Sequence, residues 1–240
     1  MSLYGRLVTL AAAVLLAATL AGCGAGGEEK PEGGTISDED LTAMVLTKAD
    51  LGPEFAGFQE SAAPDTNEER IQKADDPEDE RKDQQTFGRI VGYDRELVAS
   101  PATIQAEAPL LIHMGVTLFG NGAGAAGEID DAVGDIRARI GRTDLGMLLE
   151  TVDEFPVPPL GDQALGLRTR ASAPPEQGGQ GTVYVTYVWF RRDRIIGDVA
   201  IARSDDVDVS QQAQTIASLL DERIQQVLSG QATPPPTSTP

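Results

Sequence analysis

Along residues 37–229 the hydrophobic positions change period repeatedly, from three or four residues to two and back. Ser37 opens the first helical stretch. Its side chain is placed to cap, Asp40 three residues on favours the positive N-terminal dipole, and Leu41, Met44 and Val45 form one apolar face. The pattern stops near Asp50-Leu51-Gly52-Pro53. Thr86–Ala99 alternates loosely and predicts one or two strands, and Leu110–Phe119 is a longer apolar run, rich enough in β-branched residues for a covered strand. A helix is expected next, because Ala125, Ile129, Ala132, Val133, Ile136 and Ile140 recur at helical spacing. Its acids Glu128, Asp130 and Asp131 come early and Arg137 and Arg139 late, the order a helix dipole favours.

Thr182–Phe190 and Arg194–Ala202, joined by Arg191-Arg192-Asp193, read as a β-hairpin. Tyr184, Val188 and Phe190 fall on one face and Val183, Val185, Tyr187 and Trp189 on the other, so both faces require cover, as in a central strand. Val209–Leu228 closes the pattern as a helix carrying Ala213, Ile216, Leu220, Ile224 and Val227. Consecutive antiparallel strands with few helices imply an α+β fold, an antiparallel sheet packed by helices in a single domain over 37–229.

The flanks follow other rules. Met1–Gly22 has the layout of a secretory signal, with Arg6 ahead of the apolar run Leu7–Leu20. That run is shorter than the roughly 20 residues a membrane-spanning helix needs. Leu20-Ala21-Gly22-Cys23 is a lipobox, so Cys23, the only cysteine, is the expected site of a diacylglyceryl anchor on the extracytoplasmic face of the cell membrane. Two acyl chains suffice for stable anchoring. Residues 23–36 read as a lipidated flexible tether and residues 230–240 as a Pro/Thr-rich tail. Within the domain, Glu60–Asp83 has ten acidic and four basic residues around a single sizeable apolar side chain, Ile71, and is expected to be a solvated acidic loop, with a fraying helix as the alternative.

Charge narrows the partners. Without the leader, 38 acidic side chains face the 18 basic ones that remain of 19 when Arg6 is removed. Such a surface does not track phosphates, which excludes nucleic acid. A lone cysteine also leaves no internal disulfide, so packing alone must hold the domain.

Motifs with catalytic overtones have plainer readings. Gly122-Ala123-Gly124-Ala125-Ala126-Gly127 matches a dinucleotide-binding GxGxxG between a strand and a helix, but no parallel strand–helix units follow, and a tight turn with a close helix–sheet contact explains the same letters. No cofactor is therefore expected. The single histidine, His113, lies in an apolar strand and reads as a buried side chain satisfied by a neighbour rather than a general base. No metal-ligand spacing surrounds it. Asp153, Glu154, Asp162 and Asp198 are possible carboxylate partners, with nothing in sequence to select two of them. No catalytic residue is assigned.

Arg191, Arg192 and Arg194 are the one concentrated positive spot, either gatekeepers flanking hydrophobic strands or contacts for an anionic envelope partner. Tyr184, Tyr187 and Trp189 read first as core aromatics and second as the lining of a ligand cleft.

Leu46–Phe58, Leu160–Leu167 and Val188–Ile196 resemble recurring segments of uncharacterised bacterial surface lipoproteins. These resemble extracytoplasmic sensor-type domains found outside actinobacterial kinases and, more distantly, PsbP/Mog1-like α+β domains. Where the resembling segments place a glycine in the hairpin turn, this chain has Asp193. The resemblance implies an antiparallel sheet packed by helices, with the ligand open; the preferred function is a non-enzymatic binding or sensory lipoprotein that engages an envelope component. An accessory subunit of a membrane complex, docking through residues 60–83 or the arginine tip, is the alternative. An enzyme is the third class, and it requires Gly122–Gly127, His113 or a carboxylate pair to converge in a deep pocket.

Overall fold

A computed structural model describes residues 36–74, 76–100, 108–144, 146–173 and 181–231. The signal segment, Cys23, nearly all of the tether and residues 232–240 of the tail lie outside them. Among the described residues, strands β1 (Phe58–Asp65), β2 (Arg89–Ala99), β3 (Leu111–Phe119), β4 (Thr143–Asp144), β5 (Met147–Phe155), β6 (Gln163–Ser172), β7 (Thr182–Arg192) and β8 (Ile195–Arg203) form one sheet. Its order is β1-β2-β3-β8-β7-β6-β5-β4, and every neighbouring pair is antiparallel. The expected α+β architecture is what the chain adopts.

Helix α1 (Asp38–Met44) begins in a capping box: the Asp40 N–H donates to Ser37 Oγ at 3.1 Å and the Ser37 N–H donates to Asp40 Oδ2 at 2.8 Å. The short helix α2 (Lys48–Leu51) and a 3-10 turn at Pro53–Phe55 lead into β1. The long terminal helix α6 (Ser210–Leu228) lies beside α1 on one face of the sheet. There Leu41 and Met44 meet Ile112, Met114, Val116, Val188, Val199, Ile201, Leu220 and Ile224 in a dry core. The opposite face is covered by α5 (Gly122–Ala138), whose Ala125 and Ile129 pack on Phe119 and Ile196.

Residues 60–83 depart from the expected loop. They supply most of β1, then α3 (Asn67–Lys73) and the start of α4 (Pro77–Phe87). Thr66 Oγ1 accepts the Glu69 N–H, and Asp76 Oδ1 accepts the N–H groups of Glu78 and Asp79, so each helix has its cap. Part of the charge is spent internally. Arg70 pairs with Asp65 at 3.4 Å and Glu80 at 3.3 Å, while Arg89, almost wholly buried, pairs with Asp65 and donates to Asn67 Oδ1. β1 carries no alternating apolar pattern because it is an edge strand with six of its eight side chains exposed. Its order comes from backbone pairing with β2, and Pro64 is tolerated there for the same reason.

Three further boundaries differ. Thr86 and Phe87 end α4 rather than begin a strand, leaving β2 as one strand. The hairpin strands run through Arg192, which leaves Asp193-Arg194 as the turn, with Asp193 in the left-handed region at φ 52°. Its N–H donates to Asp162 Oδ2 at 2.6 Å. β5 and β6 have no counterpart among the expected elements, although Leu165, Leu167, Thr169 and Ala171 alternate with Arg168 and Arg170.

The glycine run opens α5 for a packing reason. A Cβ on Gly124 would stand 1.9 Å from the Phe87 carbonyl oxygen, and one on Gly127 would stand 2.9 Å from the Phe87 ring. The close approach is to the end of α4 rather than to the sheet. Asn121 caps the helix by accepting the Gly124 N–H at 2.8 Å.

Candidate functional site

Strand alternation places Leu111, His113, Gly115, Thr117 and Phe119 on the α5 side of β3. The register sets Glu96 and Ala200 beside His113, and Asp94 and Asp198 beside Gly115. Gly115 is what lets the two carboxylates converge: a Cβ there would lie 2.5 Å from Asp198 Oδ1 and 2.9 Å from Asp94 Oδ1. Above this point the sheet and helices enclose a cavity of about 380 Å³. Its floor is Asp94, His113, Thr117 and Asp198. One wall is Tyr187 and Trp189, a second is Glu128, Ile129 and Ala132 of α5, and the last is Ala62 to Pro64 of β1 with Arg70 and Lys73 of α3. The volume falls in the range of small-molecule sites.

His113 is nine-tenths buried. Its Nε2 stands 3.1 Å from Asp198 Oδ2 and 3.9 Å from Asp94 Oδ1. Burial disfavours the imidazolium, but the charges of Asp198, Asp94 and Glu96 and the hydrogen bond to Asp198 outweigh it, and its pKa is pushed up to about 9. His113 is therefore a cation at neutral pH. The expected satisfying neighbour is Asp198, yet only one ring nitrogen is satisfied, since Nδ1 is buried without a hydrogen-bond partner.

Asp94 moves away from the ordinary carboxylate range. Burial raises it to about 7 against the pull of His113, with Asp65 and Asp198 adding to the rise. Glu128 also reaches about 7, again through burial, opposed by Arg70 and Arg89 and reinforced by Glu80 and Asp131. Asp65 and Arg70 are already matched to each other, and Arg70 also to Glu80. The cavity thus contains two carboxylates whose charge is incompletely met. Among the described residues no group of three or more His, Cys, Asp or Glu side chains is arranged to hold a metal ion.

The other sequence candidates are dispersed. Tyr187, fully buried, stacks on Trp189 with ring centroids 5.2 Å apart, and both line the cavity. Tyr184 faces the opposite side of β7, with the Arg168 guanidinium 5.6 Å over its ring. Arg191 meets Asp162 at 3.3 Å and the Asp193 carbonyl at 2.9 Å, while Arg192 forks onto Asp221 of α6 at 2.7 and 2.9 Å. Their charges are engaged within the domain, and Arg194 follows in the turn. Of the four carboxylates considered, only Asp198 reaches the cavity; Asp162 serves the hairpin and Glu154 pairs with Arg137. Asp94, Glu96 and Glu128 are the site residues that sequence reasoning misses. Asp94 and Glu96 interrupt an otherwise half-apolar strand, and that interruption is the one signal available for them.

No protein-family description matches the chain, and no curated protein does. A solved structure does. The chain is similar to the extracellular domain of PknH from Mycobacterium tuberculosis, with a TM-score of 0.53 at 10% identity, over 80% of this chain and 97% of that domain. The likeness expected to domains outside actinobacterial kinases is thus present at the level of fold.

Proposed function

We propose that the chain is an extracytoplasmic lipoprotein, anchored through Cys23, whose domain binds a small molecule in the cavity between the sheet and α5 and does not turn it over. The observation that carries this reading is the contrast within the sheet. One face is filled by apolar side chains, whereas the other keeps a cavity of about 380 Å³ floored by ionisable groups. A purely structural domain gains nothing by burying Asp94, His113 and Asp198 around a void. The fold shared with a kinase extracellular domain and the lipobox at Leu20–Cys23 support the extracytoplasmic address. Trp189 is the only tryptophan and lines the cavity, so its fluorescence reports on occupancy. Extracts of cell-envelope small molecules are expected to shift that emission saturably, and Thr117→Leu, which fills the floor, is expected to abolish the shift. Labelling with an alkyne palmitate analogue tests the anchor and is expected to be lost in Cys23→Ser.

A second reading rests on the carboxylate pair. Asp94 and Asp198 straddle Gly115, and Asp94 is raised to about 7, the separation of roles used by acid–base pairs. It predicts turnover of a glycoside or ester that Asp94→Asn eliminates. Binding is favoured because Asp198 is already engaged by His113 at 3.1 Å, which leaves it less free to act as the second carboxylate.

A further inference from the structure

The polar groups of the cavity select a class of ligand, a selection that rests on the cavity being the binding site. Two of its carboxylates, Asp94 and Glu128, are incompletely neutralised. Asp94 has the 3.9 Å approach of His113 and the more distant charge of Arg70, and Glu128 has Arg70 and Arg89 nearby but no hydrogen bond among its contacts. Both are carboxylates, which as anions can only accept. His113 is nine-tenths buried, with Nε2 on Asp198 and Nδ1 closed off from the cavity, so it supplies charge there rather than a hydrogen bond. The positive side chains lining the cavity do not cancel this demand. Arg70 is committed to Asp65 and Glu80 and His113 to Asp198, while Lys73 lies one helical turn from Glu69 at the rim. Trp189, stacked on Tyr187, adds an aromatic wall that attracts a cation or an apolar ring.

We propose that the cavity takes a small organic amine, its ammonium group held by Asp94 and Glu128 and its apolar part against Trp189. Gly115 is then a specificity residue as well as a packing one, since a side chain there would fill the place where the carboxylates converge.

A matched trio tests it: phenylalaninol, the neutral 3-phenylpropane-1,2-diol and the anionic 3-phenyllactate. Each is titrated against the intact domain, with Trp189 fluorescence and amide chemical shifts as readouts. Phenylalaninol is expected to bind at least about tenfold tighter than the diol, the increment of a charge-assisted hydrogen bond, and phenyllactate is expected not to bind. Asp94→Asn and Glu128→Gln, which keep shape, should each remove most of that preference. Equal or tighter binding of the diol or phenyllactate at the cavity overturns the amine class and leaves the binding cavity standing. If none of the three perturbs Trp189 or its neighbours, the binding cavity and the amine class fall together. A preference for the amine that survives both substitutions assigns it to another surface and overturns the site.

Discussion

Strand β3 belongs to two different environments. On one side Ile112, Met114, Val116 and Leu118 are at most 4% exposed and packed against α1 and α6. On the other, one pleat away, His113, Gly115 and Thr117 floor a cavity shared with Asp94 and Asp198. The apolar side is where burial stabilises the domain, at about 25 cal/mol for each Å² removed from water. The cavity side carries buried charge whose desolvation is offset only in part, so it weakens the fold to keep a reactive surface. One sheet therefore separates the source of stability from the proposed place of binding.

The largest effect should come from the apolar side. Leu220→Ala, at a fully buried position, is expected to lose about 3 kcal/mol in urea denaturation with little change in ligand response. A loss of ligand response out of proportion to stability would show that the faces are coupled. Next comes α5, which walls the cavity. Gly124→Ala sets a Cβ against the Phe87 carbonyl, forces α5 off α4, and is expected to cost about 2 kcal/mol and to alter Trp189 emission.

The pH dependence separates the faces without mutation. His113 holds its proton up to about pH 9 when folded, against 6.5 ordinarily, so its contribution is complete below pH 6.5 and is lost as pH rises through 9. Asp94 and Glu128 act with the same sign at lower pH. The folded protein keeps protons there to about pH 7 that the unfolded chain has released, so stability falls from about pH 4 to 7. Urea midpoints are expected to decline steadily from about pH 5 to about pH 9, and His113→Gln should remove the upper limb. A flat profile would mean that Asp65, Arg70, Glu96 and Asp198, which face these groups from β1, α3, β2 and β8, balance them throughout.

The smallest effect is a gain. Asp94→Asn removes a carboxylate that burial penalises and is expected to stabilise the domain by about 1 kcal/mol at about pH 8, a figure reduced for its one-third exposure. Destabilisation of that size would instead make Asp94 a structural partner of His113.

Sequence by itself determined those elements that carry their own periodicity. β3, α5, the β7–β8 hairpin and α6 are legible because each contributes a full apolar face to a core, and the Ser37 cap because it acts within four residues. The same logic reads the glycine run as packing, though only the fold shows that Phe87 is what it packs against. Tertiary structure decided the rest. β1 is a strand because β2 offers it an open edge, and α3 and α4 are held by ion pairs among Asp65, Arg70, Glu80 and Arg89, which in sequence look like solvated charge. The cavity is the least visible feature. Asp94, His113, Asp198 and Glu128 come from three strands and a helix, and antiparallel pairing brings them together. No local pattern encodes a contact whose partners are joined only by register.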